Sequence, residues 1–375
     1  MNLLNYFQDH HSEILSDIES VVKHESPSHR KDLTDRCADY IYELFYDRLG
    51  VRGETYSNEK TGKHLKFEIG EGETTVAILA HYDTVWDEGT LSYYIDGDKA
   101  YGPGTVDMKA GLIQGMWALK ALQEEGRSLN KKVRFLITSD EEIQSPTGKY
   151  FIKNQVTDCD AVLVVEPPTG YSGLLKTARK GDAVYQVSTS GVASHAGNDP
   201  RPNANAINEI AHQIIKLESL SDLANGTSVN VGVINGGTLS NVTAEHAEIE
   251  VDVRFTKKEE AYRVDQAIQN LVPKLQETSL QVKGGVKRFP MERTEGTLQL
   301  YDHAEKVAFD LGIELGESLS GGVSDGNFTS AMGIPTLDGL GAIGDGLHAT
   351  HEHIVISEIP RRSALLAGLL HRICK

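Results

Sequence analysis

The sequence predicts an α/β fold: a mainly parallel sheet with helices on both faces, carrying an inserted α+β domain of ferredoxin-like type. Three observations predict it. Short apolar runs at 74–80, 132–138 and 161–165 each lead straight into carboxylate or imidazole groups. Runs of that length, rich in branched residues, read as buried central strands. Helical patterns separate them, and strand–helix alternation argues for a parallel sheet. Near residue 181 the character changes to the order βαββαβ over about a hundred residues, the signature of a split βαβ unit.

Taken in order, residues 3–24 and 31–49 read as amphipathic helices, with a break at Ser26, Pro27 and Ser28. Strands at 63–69 and 74–80 flank the turn Gly70-Glu71-Gly72. The stretch VAILAHYDTV (76–85) places His81 and Asp83 just past a strand's carboxyl end, where an open α/β sheet keeps its chemistry. A short strand at 93–95 and the loop 101–109 precede a helix at 110–125. Strand 132–138 runs into Ser139-Asp140-Glu141-Glu142, and strand 161–165 into Glu166-Pro167-Pro168. In the insert, strands at 183–188, 228–233, 245–255 and 279–286 are interleaved with helices at 204–217 and 258–276. A helix at 296–312, a Gly-rich stretch at 320–327, a short strand near 334–337, a loop at 344–353 and a helix near 358–373 follow. The implied boundaries are 1–180 and 290–375 for the two parts of the main domain and 181–289 for the insert.

At 375 residues the chain can bury a large core and form more than one domain. Basic residues number 37 and acidic ones 54, a formal net charge of −17. That balance argues against a nucleic-acid surface, whose affinity rests on neutralising phosphates. Cys37, Cys159 and Cys374 are scattered without CxxC spacing, so neither a disulfide framework nor a thiolate metal site is expected. The N-terminal stretch lacks a basic region followed by a long apolar core, and no apolar run is of membrane-spanning length. The expectation is a cytoplasmic protein with no membrane partner.

The polar groups at strand ends are His81, Asp83, Asp107, Glu141, Glu142 and Glu166, joined by His348 from the late loop. Imidazoles and carboxylates without thiolate suit Zn²⁺, Mn²⁺ or Co²⁺ better than a redox cluster. Each residue also has a structural reading. Asp107 suits a helix N-cap, Glu141-Glu142 a solvated turn, Glu166 a surface loop, and His348, His351 and His353 an exposed loop; His81 with Asp83 suits a buried hydrogen-bonded pair. Gly102-Pro103-Gly104 is half of a dinucleotide fingerprint, but Asp107 stands where the third glycine belongs. GGVSDG does not fit the nucleophile elbow of a serine hydrolase.

Seven motifs in order resemble one family. They are HYDTV (81–85), YGPGTVDMKAG (101–111), TSDEE (138–142), VEP (165–167), GVASHAGNDP (191–200), SGGVSDGN (320–327) and HATHEHI (348–354). The chain resembles the zinc-dependent peptidases and deacylases that include glutamate carboxypeptidase, acetylornithine deacetylase, succinyl-diaminopimelate desuccinylase, aminoacylase and tripeptidase. GDKAYGPG and EIPRR are most similar to the glutamate carboxypeptidase pattern. The resemblance implies a di-zinc exopeptidase fold whose insert forms a homodimer. It implies two Zn²⁺ per subunit, with Co²⁺ or Mn²⁺ as substitutes. His81 and Glu166 would hold one ion, Glu142 and His348 the other, and Asp107 would bridge them through a residue whose following peptide bond is cis. Asp83 would orient His81, Glu141 would be the general base, and His195 would serve the partner subunit's site. Arg288, Asn241, Gly321 and Gly322 would meet the free carboxylate of a small-molecule or short-peptide substrate. The resemblance thus implies amide hydrolysis beside a free carboxylate, by a carboxypeptidase or by an N-acyl amino acid deacylase. One departure stands out: Leu174 occupies the place of a lysine that glutamate carboxypeptidase carries shortly after its Glu-Pro.

Overall fold

Strands Thr75–His81, Lys132–Thr138 and Cys159–Val164 pair in parallel, as their apolar runs predict. The computed structural model describes residues 3–375; Met1 and Asn2, which open the stretch read for a leader, lie outside the described residues. The main sheet has six strands, in the order Glu54–Tyr56, His64–Ile69, Lys132–Thr138, Thr75–His81, Cys159–Val164, Thr336–Leu337. The first two join antiparallel and the other four are parallel.

Alternate residues of the fully buried strand Thr75–His81 serve opposite faces. Val76, Ile78 and Ala80 join the large core with helices His11–Lys23, Lys31–Leu49, Ala110–Glu124 and Ile359–Cys374. Ala77 and Leu79 join a smaller cluster with Phe151 and Ile152 of helix Gly148–Gln155 and Phe328 of helix Gly326–Ala331. Helices therefore cover both faces. His81 lies opposite Thr138, and Leu79 opposite Val164. The three strands consequently release His81, the 139–142 turn and Glu166 at one edge. A second small sheet, ordered Gly344–Asp345, His353–Val355, Lys99–Tyr101, Tyr94–Asp96, anchors the loops that bear Asp107 and His348.

The chain divides into two compact units. One comprises residues up to Ala178, Arg293–Ser320 and Ser324–Lys375; the other comprises Arg179–Glu292 and Gly321–Val323. The second unit is an antiparallel four-stranded sheet, ordered Ser228–Gly236, His246–Phe255, Gly181–Ser190, Ser279–Arg288. Ile249, Val251, Val253 and Phe255 alternate inward against Ile210 and Leu217 of helix Ala206–Glu218 and Val264 and Ile268 of helix Lys258–Gln269. The element order is the split βαβ arrangement.

Two helices differ from expectation. The first breaks at His10, whose ring nitrogen bonds the Tyr6 carbonyl, giving Leu3–Asp9 and His11–Lys23. The helix expected over 258–276 stops at Gln269. Pro273 explains this, since its ring would clash with the carbonyl of residue 269 and it lacks an N–H. No helix among the described residues is long and apolar enough to cross a membrane.

Candidate metal centre

Each strand end contributes a side chain to one buried cluster. His81, the last residue of its strand, is 2% exposed, and Asp107 and Glu166 are buried beside it. His81 Nε2 lies 3.2 Å from Asp107 Oδ1 and 3.5 Å from Glu166 Oε1. The other oxygen of Asp107, Oδ2, lies 3.5 Å from His348 Nε2, which is 3.1 Å from Glu142 Oε2. His348 reaches in from a residue with φ 58° in the loop 346–352, its side chain half-exposed. The peptide bond between Asp107 and Met108 is cis, as the resemblance implied.

The cluster fits divalent cations. Nitrogen and oxygen donors about 2.0–2.2 Å from one tetrahedral ion sit roughly 3.3–3.5 Å from each other. The four donor–donor distances above, 3.1 to 3.5 Å, match that spacing. Ligand atoms of His81, Asp107 and Glu142 also lie within 4.8 Å of one another. The acid–base balance points the same way. Burial, reinforced by the charge of Asp107, pushes Glu142 up to about 7. Hydrogen bonds that His348 donates to Asp107 and Glu142 raise it to about 10. Burial opposes a charge on His81, yet Asp107, Asp83 and Glu166 together raise it well above its usual value. Burial likewise opposes a charge on Asp107, but His348 and His81 hold it below the usual carboxylate range.

Asp83 is fully buried and holds several parts of this edge. His81 Nδ1 is 3.1 Å from the Asp83 main-chain carbonyl and 3.4 Å from Oδ1. A donor at Nδ1 leaves Nε2 free to ligate. The carboxylate also accepts from the main-chain N–H of Glu141 and of Glu142, each at 3.2 Å. These two residues open the short turn Glu141–Ile143, with Glu141 half-buried. Ser28 Oγ donates to Asp83 Oδ2 at 2.7 Å. Sequence reasoning assigned Ser28 only to a helix break, because its hydrogen bond spans 55 positions.

The other predicted residues belong to the second unit. His195 is exposed, and its Nδ1 accepts from the N–H of Gly197 and Asn198 at 3.1 and 3.2 Å, so Nε2 carries the proton. The exposed Asn241 lies in the adjacent loop, its carbonyl accepting from Ala196 N–H at 3.0 Å. Arg288 is buried at the end of its strand, in register with buried Asp182. The carbonyl of Gly322 accepts from Arg179 Nη1 at 3.2 Å, and the Cα of Gly321 faces open space.

Fold and site together define a metal-dependent hydrolase. The chain belongs to peptidase family M20/M25/M40, whose model matches residues 77–372. It is 32% identical over 311 residues to carboxypeptidase G2 of Pseudomonas sp. (strain RS-16), covering 80% of this chain and 74% of that one. It is 24% identical over 353 residues to succinyl-diaminopimelate desuccinylase of Hahella chejuensis (strain KCTC 2396), covering 88% and 91%. Its fold is similar to that of YXEP of Bacillus subtilis, described as a dinuclear metal-binding peptidase of the M20 family. The TM-score there is 0.72 at 16% identity, over 98% of this chain and 99% of that one.

Proposed function

We propose that this chain is a two-zinc exohydrolase of amide bonds next to a free carboxylate, a carboxypeptidase acting on short peptides or N-acyl amino acids. The observation that carries the two-ion reading is the divided carboxylate of Asp107, one oxygen towards His81 and the other towards His348. His81 and Glu166 would hold one ion, Glu142 and His348 the other, and Asp107 both. Bound there, divalent ions would supply a water of lowered pKa and polarisation of the scissile carbonyl. Glu141 takes the water's proton and returns it to the leaving nitrogen, a role open to a half-buried carboxylate on a turn held by Asp83. His195, with its proton on Nε2, is a donor to the carbonyl oxygen as negative charge develops there. We assign it to the partner subunit's site in a homodimer. Arg288, Asn241, Gly321 and Gly322 are the proposed partners of the substrate carboxylate, for which a bidentate guanidinium is well shaped.

Carboxypeptidase activity is favoured by the 32% identity with carboxypeptidase G2. Deacylation of N-acetyl or N-succinyl amino acids is the second reading, supported by the likeness to the desuccinylase. A panel of blocked dipeptides against N-acyl amino acids, run on zinc-loaded protein, separates the two by kcat/KM. Metal analysis is expected to find two ions per chain. The Glu141→Gln enzyme, loaded with zinc, should lose about 10²–10⁴-fold in kcat with little change in KM. Full activity in that variant would sink the proposed mechanism.

A further inference from the structure

Glu352, the glutamate of the HATHE motif, has no place in the reaction described above, yet it is 1% exposed. A buried carboxylate is costly unless hydrogen-bonded. Glu352 Oε1 accepts from the main-chain N–H of Val106 at 3.0 Å and of Asp107 at 3.2 Å. Oε2 accepts from the N–H of Gly104 at 3.0 Å and from the Trp86 indole at 2.7 Å. Three N–H groups of one loop therefore converge on one side chain, in the manner of an anion nest. Gly104, at φ 70°, gives that loop the turn it needs.

The consequence lies in what these loops carry. The loop 104–107 presents Asp107. Trp86 follows His81 and Asp83 beyond the end of their strand. Glu352 itself closes the loop of His348, which is tightened by two successive turns, Ala349 N–H to the Gly346 carbonyl at 2.8 Å and Glu352 N–H to the Ala349 carbonyl at 2.9 Å. We propose that Glu352 is a positioning residue for the cation site, the joint at which the segment following His81 and the loops bearing Asp107 and His348 are tied to one carboxylate. It would touch neither ion nor substrate. Charge-assisted bonds to the main chain of Asp107 fix the direction of the bridging carboxylate, and the short loop back to His348 fixes the spacing of the two donors.

The inference rests on the two-ion reading, and its test reads metal affinity rather than turnover. The full-length chain is stripped of metal and titrated with Zn²⁺ in competition with a chromophoric chelator, as wild type, Glu352→Gln and Trp86→Phe. Melts of the metal-free proteins run alongside. Glu352→Gln turns an amide N–H₂ towards N–H donors and should bind zinc about 10–100-fold more weakly. Trp86→Phe removes a single donor and should lose about 2–10-fold. A folded Glu352→Gln protein with wild-type affinity, whatever its melting temperature, overturns the inference. Should Glu352→Gln fail to melt cooperatively, Trp86→Phe decides: unchanged affinity overturns it and weakened affinity supports it. A wild-type chain that takes up no zinc would instead refute the two-ion reading.

Discussion

Asp83 does more than orient His81. Its carboxylate also receives the N–H groups of Glu141 and Glu142 and the hydroxyl of Ser28, so one side chain ties a strand end to the turn that carries the proposed base. Asp83→Asn keeps the shape but swaps an acceptor for a donor. We expect zinc affinity and kcat/KM to fall about 10–100-fold, measured by chelator competition and steady-state kinetics. Glu209 is a second instructive residue, far from the cluster in sequence. It is fully buried and accepts from Lys274 N–H at 3.0 Å, Leu275 N–H at 2.7 Å, Thr278 Oγ1 at 3.0 Å and Gln213 Nε2 at 2.6 Å. Burial pushes its pKa up, but these bonds win and hold it below its usual 4.5. A lowered folded-state pKa means that its stabilisation is complete above pH 4.5 and is lost as pH falls below that value. Glu209→Gln should cost about 1.5–3 kcal/mol at neutral pH. It should also flatten the dependence of Tm on pH below 4.5, as followed by calorimetry.

At the scale of elements, helix Ala110–Glu124 must approach the end of strand Cys159–Val164 closely for Asp107 and Glu166 both to meet His81. Gly111 makes this possible, since a Cβ there would lie 2.0 Å from the Val165 carbonyl oxygen. Gly111→Ala should push the helix off the strand end, lowering stability by about 1–3 kcal/mol in thermal or denaturant melts. Glu166, next to that carbonyl, should shift with it and weaken zinc binding. The premature end of helix Lys258–Gln269 belongs at this scale too. Pro273 was visible in the sequence, yet the apolar periodicity up to 276 reads as helix. The segment past 269 turns away instead, and Glu209 receives the N–H groups of Lys274 and Leu275.

For the whole molecule the proposed homodimer makes a distinct claim. Strand Ser228–Gly236 is an edge of the second unit's sheet and exposes Ile234 (56%), while helix Ala206–Glu218 exposes Ile215 (72%). An open edge flanked by apolar side chains is a natural template for pairing with a second copy. Light scattering should find two chains per particle, and Ile215→Asp with Ile234→Asp should yield single chains. Mixed dimers of Glu141→Gln and His195→Ala chains should regain turnover if His195 serves the partner's site, because one of the two sites then holds both residues. No recovery would place His195 in its own chain's site or outside catalysis.

By itself the sequence determined the fold class and the family membership. Buried parallel strands must be nearly continuous apolar runs, and the donors that follow them are chemically distinctive and ordered along the chain. It also carried every side chain now found in the cluster of His81, Asp107, Glu142, Glu166 and His348, although each of them, taken alone, also had a structural reading until the motifs were taken together. Only the tertiary structure decided the geometry. That Asp107 divides its oxygens between two imidazoles depends on a strand end, the loop 102–109 and a loop some 240 residues away meeting at one point. The strands of two or three residues that bring those loops together, Lys99–Tyr101 with His353–Val355, are too short to leave a periodic signal. Ser28, Trp86 and Glu352 were likewise illegible, because what they do is accept or donate a hydrogen bond across long sequence separation, and no local pattern encodes such a bond.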